Sequence, residues 1–331
     1  MTEYKGRIIT HTHESTILRS NPLNDPHVRE IIVYVPPNYS QSHSNGYPAA
    51  IGLSGFAGNG RTFLNFDPLG ENIEERMNRL IADGKLGPMI LVIPDCFTKF
   101  GGNQYINSTA TGKYEDYIVN EIVPFIHSNY NISSFGLWGK SSGGYGSLVL
   151  GMKYPEIFKA IACHSGDSAF EYCYLPDFPS AYETFRETGG VKKWFDQFWK
   201  KQNRKQKKDF VALSILAMAA HYSPDTSSEL GLKLPFDIET GEIIEDVWKM
   251  WKALDPVKMI NEYQYNLRKL KLLYIDCGNK DEFNLHLGAR MIHNKLNKLD
   301  IIHYYEEFDG GHSNTSLRYD ISFPMICSSI T

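Results

Sequence analysis

The sequence predicts an α/β fold with a mostly parallel central sheet. Short runs rich in apolar and β-branched residues, each bounded by turn residues, recur at 31–35, 49–53, 89–93, 135–138, 158–163, 270–275 and 301–308. Several of these runs are almost continuously apolar, which is typical of strands covered by helices on both faces. Helical patterns lie between them, for example over 71–83 and over 117–130, where Pro124 predicts a kink or break. Strands that alternate with helices in this way favour parallel pairing.

Length and composition indicate a folded protein without a strongly charged surface. The chain has 331 residues, of which 42% are hydrophobic and 22% charged, and this excludes wholesale disorder. Lys and Arg number 34 against 38 Asp and Glu, so the net charge of −4 gives no general reason to expect nucleic acid or an acidic membrane as partner. Five scattered cysteines without a C-x-x-C pair favour reduced thiols. With a polar amino-terminal stretch and no apolar run near the ~18 residues of a membrane span, we expect a cytoplasmic protein.

One long segment interrupts the alternation of strands and helices. Residues 166–259 contain no clear strand pattern and are rich in aromatic residues and helix formers. Because core strands are predicted on both sides of it, we predict a single domain over residues 1–331, in which 166–259 is a helical cap or lid. The segment includes eight basic residues between Lys192 and Lys208, which we interpret as a solvated helix face.

A G-x-S-x-G motif follows the predicted strand 135–138 and consists of Gly139-Lys140-Ser141-Ser142-Gly143. A helix-compatible apolar stretch comes next, so the motif has the strand–turn–helix context that it requires. Such a turn holds its central residue in a strained conformation, and the glycines let neighbouring backbone pass without Cβ clashes. The first N–H groups of the next helix are free to stabilise an anion. Ser141 is therefore a candidate nucleophile.

A serine nucleophile needs a histidine base and an acid that orients the base. Where this turn occurs in a parallel α/β sheet, the chain order is serine, then Asp or Glu, then histidine, each after a strand. His312 follows the last predicted strand in a Gly-rich loop, and Asp281 follows the strand 270–275. The alternatives for the acid are Asp276 and Glu282. The rival histidines, none of which lies on the last loop, are His164, His221 and His286.

Two backbone N–H groups are expected to hold an oxyanion beside Ser141. One belongs to Ser142, the residue after the nucleophile, and the other to the Gly-rich loop after the strand 49–53, where Phe56 is preferred and Gly55 is the alternative. Cofactor and metal sites are not expected: the patterns that bind nucleotide phosphates are missing, and no cluster of metal ligands stands out. His11 and His13 form an isolated pair that we expect to be solvated near a frayed end.

Several motifs together resemble one known family. They are Ser54-Gly55-Phe56, Pro94-Asp95, residues 104–108, residues 111–117, residues 139–146, residues 278–283 and Gly310-Gly311-His312. The chain resembles the α/β-hydrolase esterases of the esterase D and S-formylglutathione hydrolase type, which also include siderophore esterases, feruloyl esterases and mycolyltransferases. The resemblance implies an α/β-hydrolase fold and a serine hydrolase without a metal or other cofactor. It also implies the roles of five residues: Ser141 as nucleophile, Asp281 as acid, His312 as base, and Phe56 and Ser142 as the oxyanion hole.

We therefore expect a carboxylesterase that hydrolyses a small-molecule ester through an acyl-enzyme. The alternatives are a thioesterase of the S-formylglutathione hydrolase type or a feruloyl esterase and, from other classes, an acyltransferase or a non-catalytic binding scaffold. Neither nucleic acid nor a membrane is expected as a partner, and the sequence is compatible with a homo-oligomer. Five aromatic residues of the insertion are expected to shape the acyl or alcohol pocket, with core packing as the alternative: Trp194, Phe198, Trp199, Trp248 and Trp251.

Overall fold

The computed structural model describes residues 5–331, so residues 1–4 of the predicted domain lie outside the described residues. Within that range ten strands are formed: Arg7–Glu14 (β1), Val28–Val35 (β2), Tyr47–Leu53 (β3), Ile90–Pro94 (β4), Asn107–Ser108 (β5), Gly112–Lys113 (β6), Ile132–Lys140 (β7), Phe158–His164 (β8), Leu272–Gly278 (β9) and Tyr304–Phe308 (β10). Eight of them form one sheet in the order β1-β2-β4-β3-β7-β8-β9-β10. The pairs β1–β2 and β2–β4 are antiparallel, and the other five pairs are parallel. The predicted mostly parallel sheet is confirmed.

Helices fill the connections between the strands. Their bounds are Ile73–Ala82 (α1), Tyr114–Asp116 (α2), Val123–Asn129 (α3), Ser142–Lys153 (α4), Phe170–Cys173 (α5), Phe178–Thr188 (α6), Val191–Phe198 (α7), Lys207–Tyr222 (α8), Glu245–Ala253 (α9), Pro256–Leu267 (α10), Leu285–Lys298 (α11) and Tyr319–Ile330 (α12). Pro124 lies in the first turn of α3, and a π-helical segment, Tyr117–Ile122, precedes it. The predicted break at the proline is thus a change of helix type, since a proline nitrogen cannot donate a helical hydrogen bond.

Both faces of the sheet are covered, which explains the nearly continuous apolar runs. Successive strand residues point to opposite faces. In β2, Ile32 packs in one cluster with Met77 of α1 and Phe323 of α12. Its neighbour Val33 belongs to a second cluster, which includes Ile126 of α3. A strand between two helical layers has no solvent-facing side, so both sets of alternating positions are apolar.

The edge strand β1 is missing from the sequence prediction. Its residues alternate between half-buried and exposed positions, so it lacks the apolar run that marks the central strands. The expectation that His11 and His13 are solvated near a frayed end is wrong, because both lie in this strand. The His11 Nε2 atom is 2.6 Å from the Tyr130 hydroxyl, and the His13 Nε2 atom is 3.3 Å from a carboxylate oxygen of Glu121.

The segment 166–259 is helical, as predicted, and contains only two isolated β-bridges. Its basic run does not form one helix face, which corrects the expectation from the sequence. Helix α7 ends at Phe198 and α8 begins at Lys207, so the run spans two helices and the loop between them. One of its members, Lys201, lies 2.6 Å from the carboxylate of the buried Asp209. Lys201 therefore pairs with a buried carboxylate inside the segment and is not simply a solvated surface residue.

Candidate functional site

Ser141 occupies a sharp turn between β7 and α4. Its backbone angles are φ 58° and ψ −125°, a conformation that costs a non-glycine residue about 1–3 kcal/mol. The glycines on either side are required by close backbone contacts. A Cβ atom on Gly139 would lie 2.2 Å from the carbonyl oxygen of Gly143, and one on Gly143 would lie 1.9 Å from the carbonyl oxygen of Leu53. The G-x-S-x-G motif thus packs the turn against the end of β3.

The variant Gly143→Ala is expected to lower the free energy of unfolding by about 3 kcal/mol, because the backbone of β3 would have to move. The control is Gly87→Ala. Gly87 is exposed, and the nearest atom to an added Cβ would be the Cys327 sulfur at 3.1 Å, which is the end of a side chain. That variant is expected to lose less than about 1 kcal/mol. Urea denaturation measures both, and equal losses would contradict the close-packing argument.

Asp281 and His312 form a hydrogen-bonded pair at the carboxyl ends of β9 and β10. The distance between Asp281 Oδ2 and His312 Nδ1 is 2.7 Å. Burial acts to raise the pKa of Asp281, but the hydrogen bond and charge of His312, with backbone N–H groups, hold this pKa below its ordinary value. The backbone N–H of Phe283 donates to the other carboxylate oxygen at 2.9 Å. This pairing leaves Nε2 as the free nitrogen of the imidazole.

The two alternative acids contact other groups. Asp276 Oδ1 lies 2.8 Å from Nδ1 of His164, and its Oδ2 accepts from Arg318 Nε at 2.8 Å. Glu282 accepts the backbone N–H of His312 at 2.7 Å and makes no hydrogen bond to the imidazole. Of the three candidate acids, only Asp281 is therefore hydrogen-bonded to the imidazole ring of His312.

The rival histidines lie elsewhere. His164 is buried at the end of β8 against Asp276. His221 is buried in α8, where its Nδ1 contacts the carbonyl of Ala217 at 2.8 Å and burial lowers its pKa to about 4. His286 lies on α11. None of the three lines the cavity beside Ser141.

Ser141 and His312 share the wall of a cavity of about 310 Å³. Within residues 5–331, the Ser141 hydroxyl donates to Asp167 Oδ1 at 3.4 Å and makes no hydrogen bond to His312. Such a bond between nucleophile and base is often long or missing without substrate. The structure thus brings both side chains to one cavity, where a rotation of the hydroxyl would have to complete the contact.

The residues predicted to form the oxyanion hole line the same cavity. Ser142 is the first residue of α4, so its N–H has no acceptor within the helix. In the Gly-rich loop after β3, Ala57 donates its N–H to the carbonyl of Gly101 and Gly58 donates to the carbonyl of Gly55. Phe56 donates to none of the described residues, and neither does Gly55, its alternative. Both line the cavity, and both remain candidates for the second donor.

Two acidic residues of the cavity wall were missed from the sequence. Asp167 follows β8 and is 6% exposed. Burial raises its pKa, against hydrogen bonds from Tyr174 and Ser142 and the charge of His312, which lower it. Asp177, before α6, is half-buried. The position of Asp167 was a usable signal, because residues that follow neighbouring parallel strands meet at one edge of the sheet.

The five aromatic residues of the insertion that the sequence singled out do not line this cavity, which corrects the expectation that they shape the pocket. Trp194, Trp248 and Trp251 are at most 4% exposed and belong to the core beneath it. Phe198 and Trp199 do not line it either. The insertion contributes other lining residues, from α5 and α8 and the segments beside them: Asp167, Cys173, Tyr174, Asp177, Phe210, Val211, Ser214 and Met218.

Neither a metal site nor a membrane span is formed by residues 5–331. No three His, Cys, Asp or Glu side chains in this range are grouped so that they could hold a metal ion. No helix among them combines the length and the apolar character needed to cross a bilayer.

The fold is shared with solved esterase structures. A ferulic acid esterase superposes with a TM-score of 0.62 at 18% identity, covering 98% of this chain and 99% of that one. An S-formylglutathione hydrolase from Agrobacterium tumefaciens gives 0.60 at 16% identity, covering 100% and 98%. The fluorophosphonate-binding serine hydrolase F of Staphylococcus aureus gives 0.60 at 15% identity, covering 99% of each chain. These similarities establish the α/β-hydrolase fold.

Comparison of sequences identifies the family. YbbA of Bacillus subtilis (strain 168), an uncharacterized protein, is 30% identical in an alignment of 158 residues that covers 43% of this chain. The chain spans 58% of the length of that curated relative. A family model described as "Putative esterase" matches residues 23–323. Because that match includes every strand of the main sheet except β1, as well as Ser141, Asp281 and His312, the chain belongs to the Putative esterase family.

Proposed function

We propose that this protein is a serine carboxylesterase. The observation that carries the proposal is the shared cavity: Ser141, on its strained turn, and His312, hydrogen-bonded to Asp281, line the same wall. Ser142, Phe56 and Gly55, whose N–H groups donate to none of the described residues, line the same cavity. A nucleophile, a base, an orienting acid and anion donors are the parts that acyl transfer needs.

Acylation and deacylation both use these groups. Nε2 of His312 takes the proton of Ser141 as Oγ attacks the ester carbonyl carbon, and the N–H donors stabilise the oxyanion. When the tetrahedral intermediate collapses, the bond to the alcohol oxygen breaks and His312 gives its proton to the leaving alcohol. A water molecule then loses a proton to His312 and attacks the acyl carbon. Collapse releases the carboxylic acid, and the proton returns to Ser141 Oγ, while Asp281 holds the imidazolium throughout.

The cavity favours short or flat acyl groups. Its volume of about 310 Å³ is near the lower end of the range of ligand pockets, roughly 300–1,000 Å³. Six aromatic side chains contribute to the lining, which suits a planar acyl group: Phe56, Phe63, Tyr174, Phe210, Phe283 and Tyr319. For this reason a feruloyl ester is the second candidate substrate.

The test is a series of p-nitrophenyl esters from acetyl to long-chain acyl, with a feruloyl ester and S-formylglutathione beside it. We expect the highest kcat/KM with short acyl chains and a decline once the chain exceeds the cavity. A clear preference for S-formylglutathione would replace the carboxylesterase proposal by a thioesterase. Absence of hydrolysis with every substrate would overturn it, and product transfer to an added alcohol would identify an acyltransferase.

A further inference from the structure

Asp167 is placed where a negative charge opposes the proposed reaction. Its Oδ1 atom is 3.4 Å from Ser141 Oγ, the atom that would attack the ester. The oxyanion of the tetrahedral intermediate forms within a few ångströms of the same atom, and a nearby negative charge raises the energy of that intermediate. A carboxylate at this position is therefore unfavourable for catalysis unless something compensates its charge.

No lysine or arginine supplies that compensation, and the cationic group of residues 5–331 that acts on Asp167 is His312, the base of the proposed reaction. Among residues 5–331, the side-chain donors to Asp167 are all neutral: Ser141 at 3.4 Å, Ser142 at 3.0 Å, Tyr174 at 2.8 Å and Gln104 at 3.3 Å. No salt bridge joins Asp167 to a lysine, arginine or histidine of this range. The cavity does contain Lys140, but the charges that act on that lysine are those of Asp281 and Glu282.

A second carboxylate lies on the same wall. Asp177 lines the cavity and is half-buried, and its carboxylate accepts no hydrogen bond from residues 5–331. Lys207 is the nearby charge that acts on it. Two acids thus line one small cavity beside the nucleophile, and Asp167, the buried one, forms no salt bridge with residues 5–331.

We infer that the substrate carries a positive charge close to the ester group, and that Asp167 and Asp177 select it. The substrate class is an ester whose acyl part bears an ammonium group one to three bonds beyond the carbonyl carbon. The distance of 3.4 Å from Ser141 Oγ to Asp167 Oδ1 resembles the approach of about 3–3.5 Å that the carbonyl carbon makes to Oγ. A group attached near that carbon can therefore reach the carboxylate. This inference rests on the proposed esterase function.

The test compares two esters that differ in charge and hardly in shape. p-Nitrophenyl 3-aminopropanoate has an ammonium group where p-nitrophenyl butanoate has a methyl group, and both are measured at a slightly acid pH with correction for spontaneous hydrolysis. For the wild type we expect kcat/KM to be at least about tenfold higher with the cationic ester. In Asp167→Asn that preference should fall about 30-fold. In Asp177→Asn it should fall less, and in the double variant it should disappear.

The variants are expected to fold because their neighbours can adapt. The hydroxyls of Ser142 and Tyr174 can accept a hydrogen bond from an amide as well as donate to a carboxylate. Gln104 can turn its amide, since its Oε1 atom is buried and has no partner. Asp246→Asn on the exposed surface of α9 removes the same charge away from the cavity and should leave the preference unchanged. If Asp167→Asn fails to fold, the wild-type ratio and Asp177→Asn still decide.

The outcomes separate this inference from the proposed function. Hydrolysis of butanoate without a preference for the cationic ester would overturn the inference and leave the esterase in place. A preference that persists in the double variant would overturn the assignment to Asp167 and Asp177. Failure to hydrolyse either ester, together with the rest of the series, would overturn both.

Discussion

The variant Ser141→Ala is expected to lower kcat for p-nitrophenyl butanoate by at least about 10⁴-fold, because the attacking oxygen is gone. The fold should be nearly unaffected. Alanine keeps the Cβ atom that the turn already accommodates, and the only side-chain hydrogen bond of Ser141 to residues 5–331 is the long one to Asp167. Steady-state kinetics test the first statement, and the thermal unfolding midpoint, measured in parallel, tests the second. A fluorophosphonate probe should label the wild type at Ser141 and leave this variant unlabelled.

The chain offers a matched control for this experiment. A second Ser, His and Asp array is buried beside the sheet: Ser322 Oγ lies 3.0 Å from Nε2 of His164, whose Nδ1 is 2.8 Å from Asp276. Ser322 is fully buried and lines no cavity near Ser141. The variant Ser322→Ala should therefore keep its activity and its labelling. If it lost labelling while Ser141→Ala retained it, the assignment of the nucleophile would be wrong.

Asparagine substitutions at Asp281 and Asp276 are expected to affect different properties, catalysis in the first case and stability in the second. Asp281→Asn should lower kcat by about 10⁴-fold, because an amide no longer holds the His312 ring in the tautomer that accepts a proton. Asp276→Asn should lower stability by about 3–5 kcal/mol, since an amide nitrogen would face His164, Tyr274 or Arg318, which all donate to this carboxylate. Kinetics and urea denaturation of both variants test the contrast. If the two variants lost the same activity and were equally stable, this contrast would be contradicted.

The stability effect of Asp276 should depend on pH. Burial acts to raise the pKa of Asp276, but the charges and hydrogen bonds of His164 and Arg318 hold this pKa below its ordinary value. A carboxyl whose pKa is lower in the folded than in the unfolded state stabilises the fold above the unfolded value of about 4. This contribution is lost as the pH falls through the folded-state pKa. The difference between wild type and Asp276→Asn should therefore shrink on acidification, and a constant difference would contradict the argument.

The fold was largely predictable because its signals are local. Strands between two helical layers must be apolar on both faces, so the central strands appear as apolar runs. The edge strand β1 has one face toward solvent, and its histidines conceal the pattern. The position of Ser141 was equally local, since the glycines at 139 and 143 are needed where the turn passes the end of β3.

The choice among neighbouring candidates needed the tertiary structure. Asp276, Asp281 and Glu282 lie within seven residues of one another, and the sequence favoured Asp281 without excluding the others. Which of them meets His312 depends on where β10 and its loop lie against β9. A Cβ atom at Gly278 would approach the carbonyl of Gly310 to 2.4 Å, so the two loops pass in close contact. That contact sets Asp281 beside the imidazole ring.

The sequence by itself determined the α/β fold, the helical insertion and the positions of Ser141 and His312, because these follow from periodicity, turn chemistry and chain order. Only the tertiary structure decided which insertion residues line the cavity beside Ser141. The apolar residues of α7 and α9 could have lined a pocket or filled a core, and they fill the core. Asp177 had no distinguishing neighbours in the sequence, and Asp167 was marked only by its position after β8. Their importance arises from the long-range packing of the insertion over the sheet, which local sequence patterns do not contain.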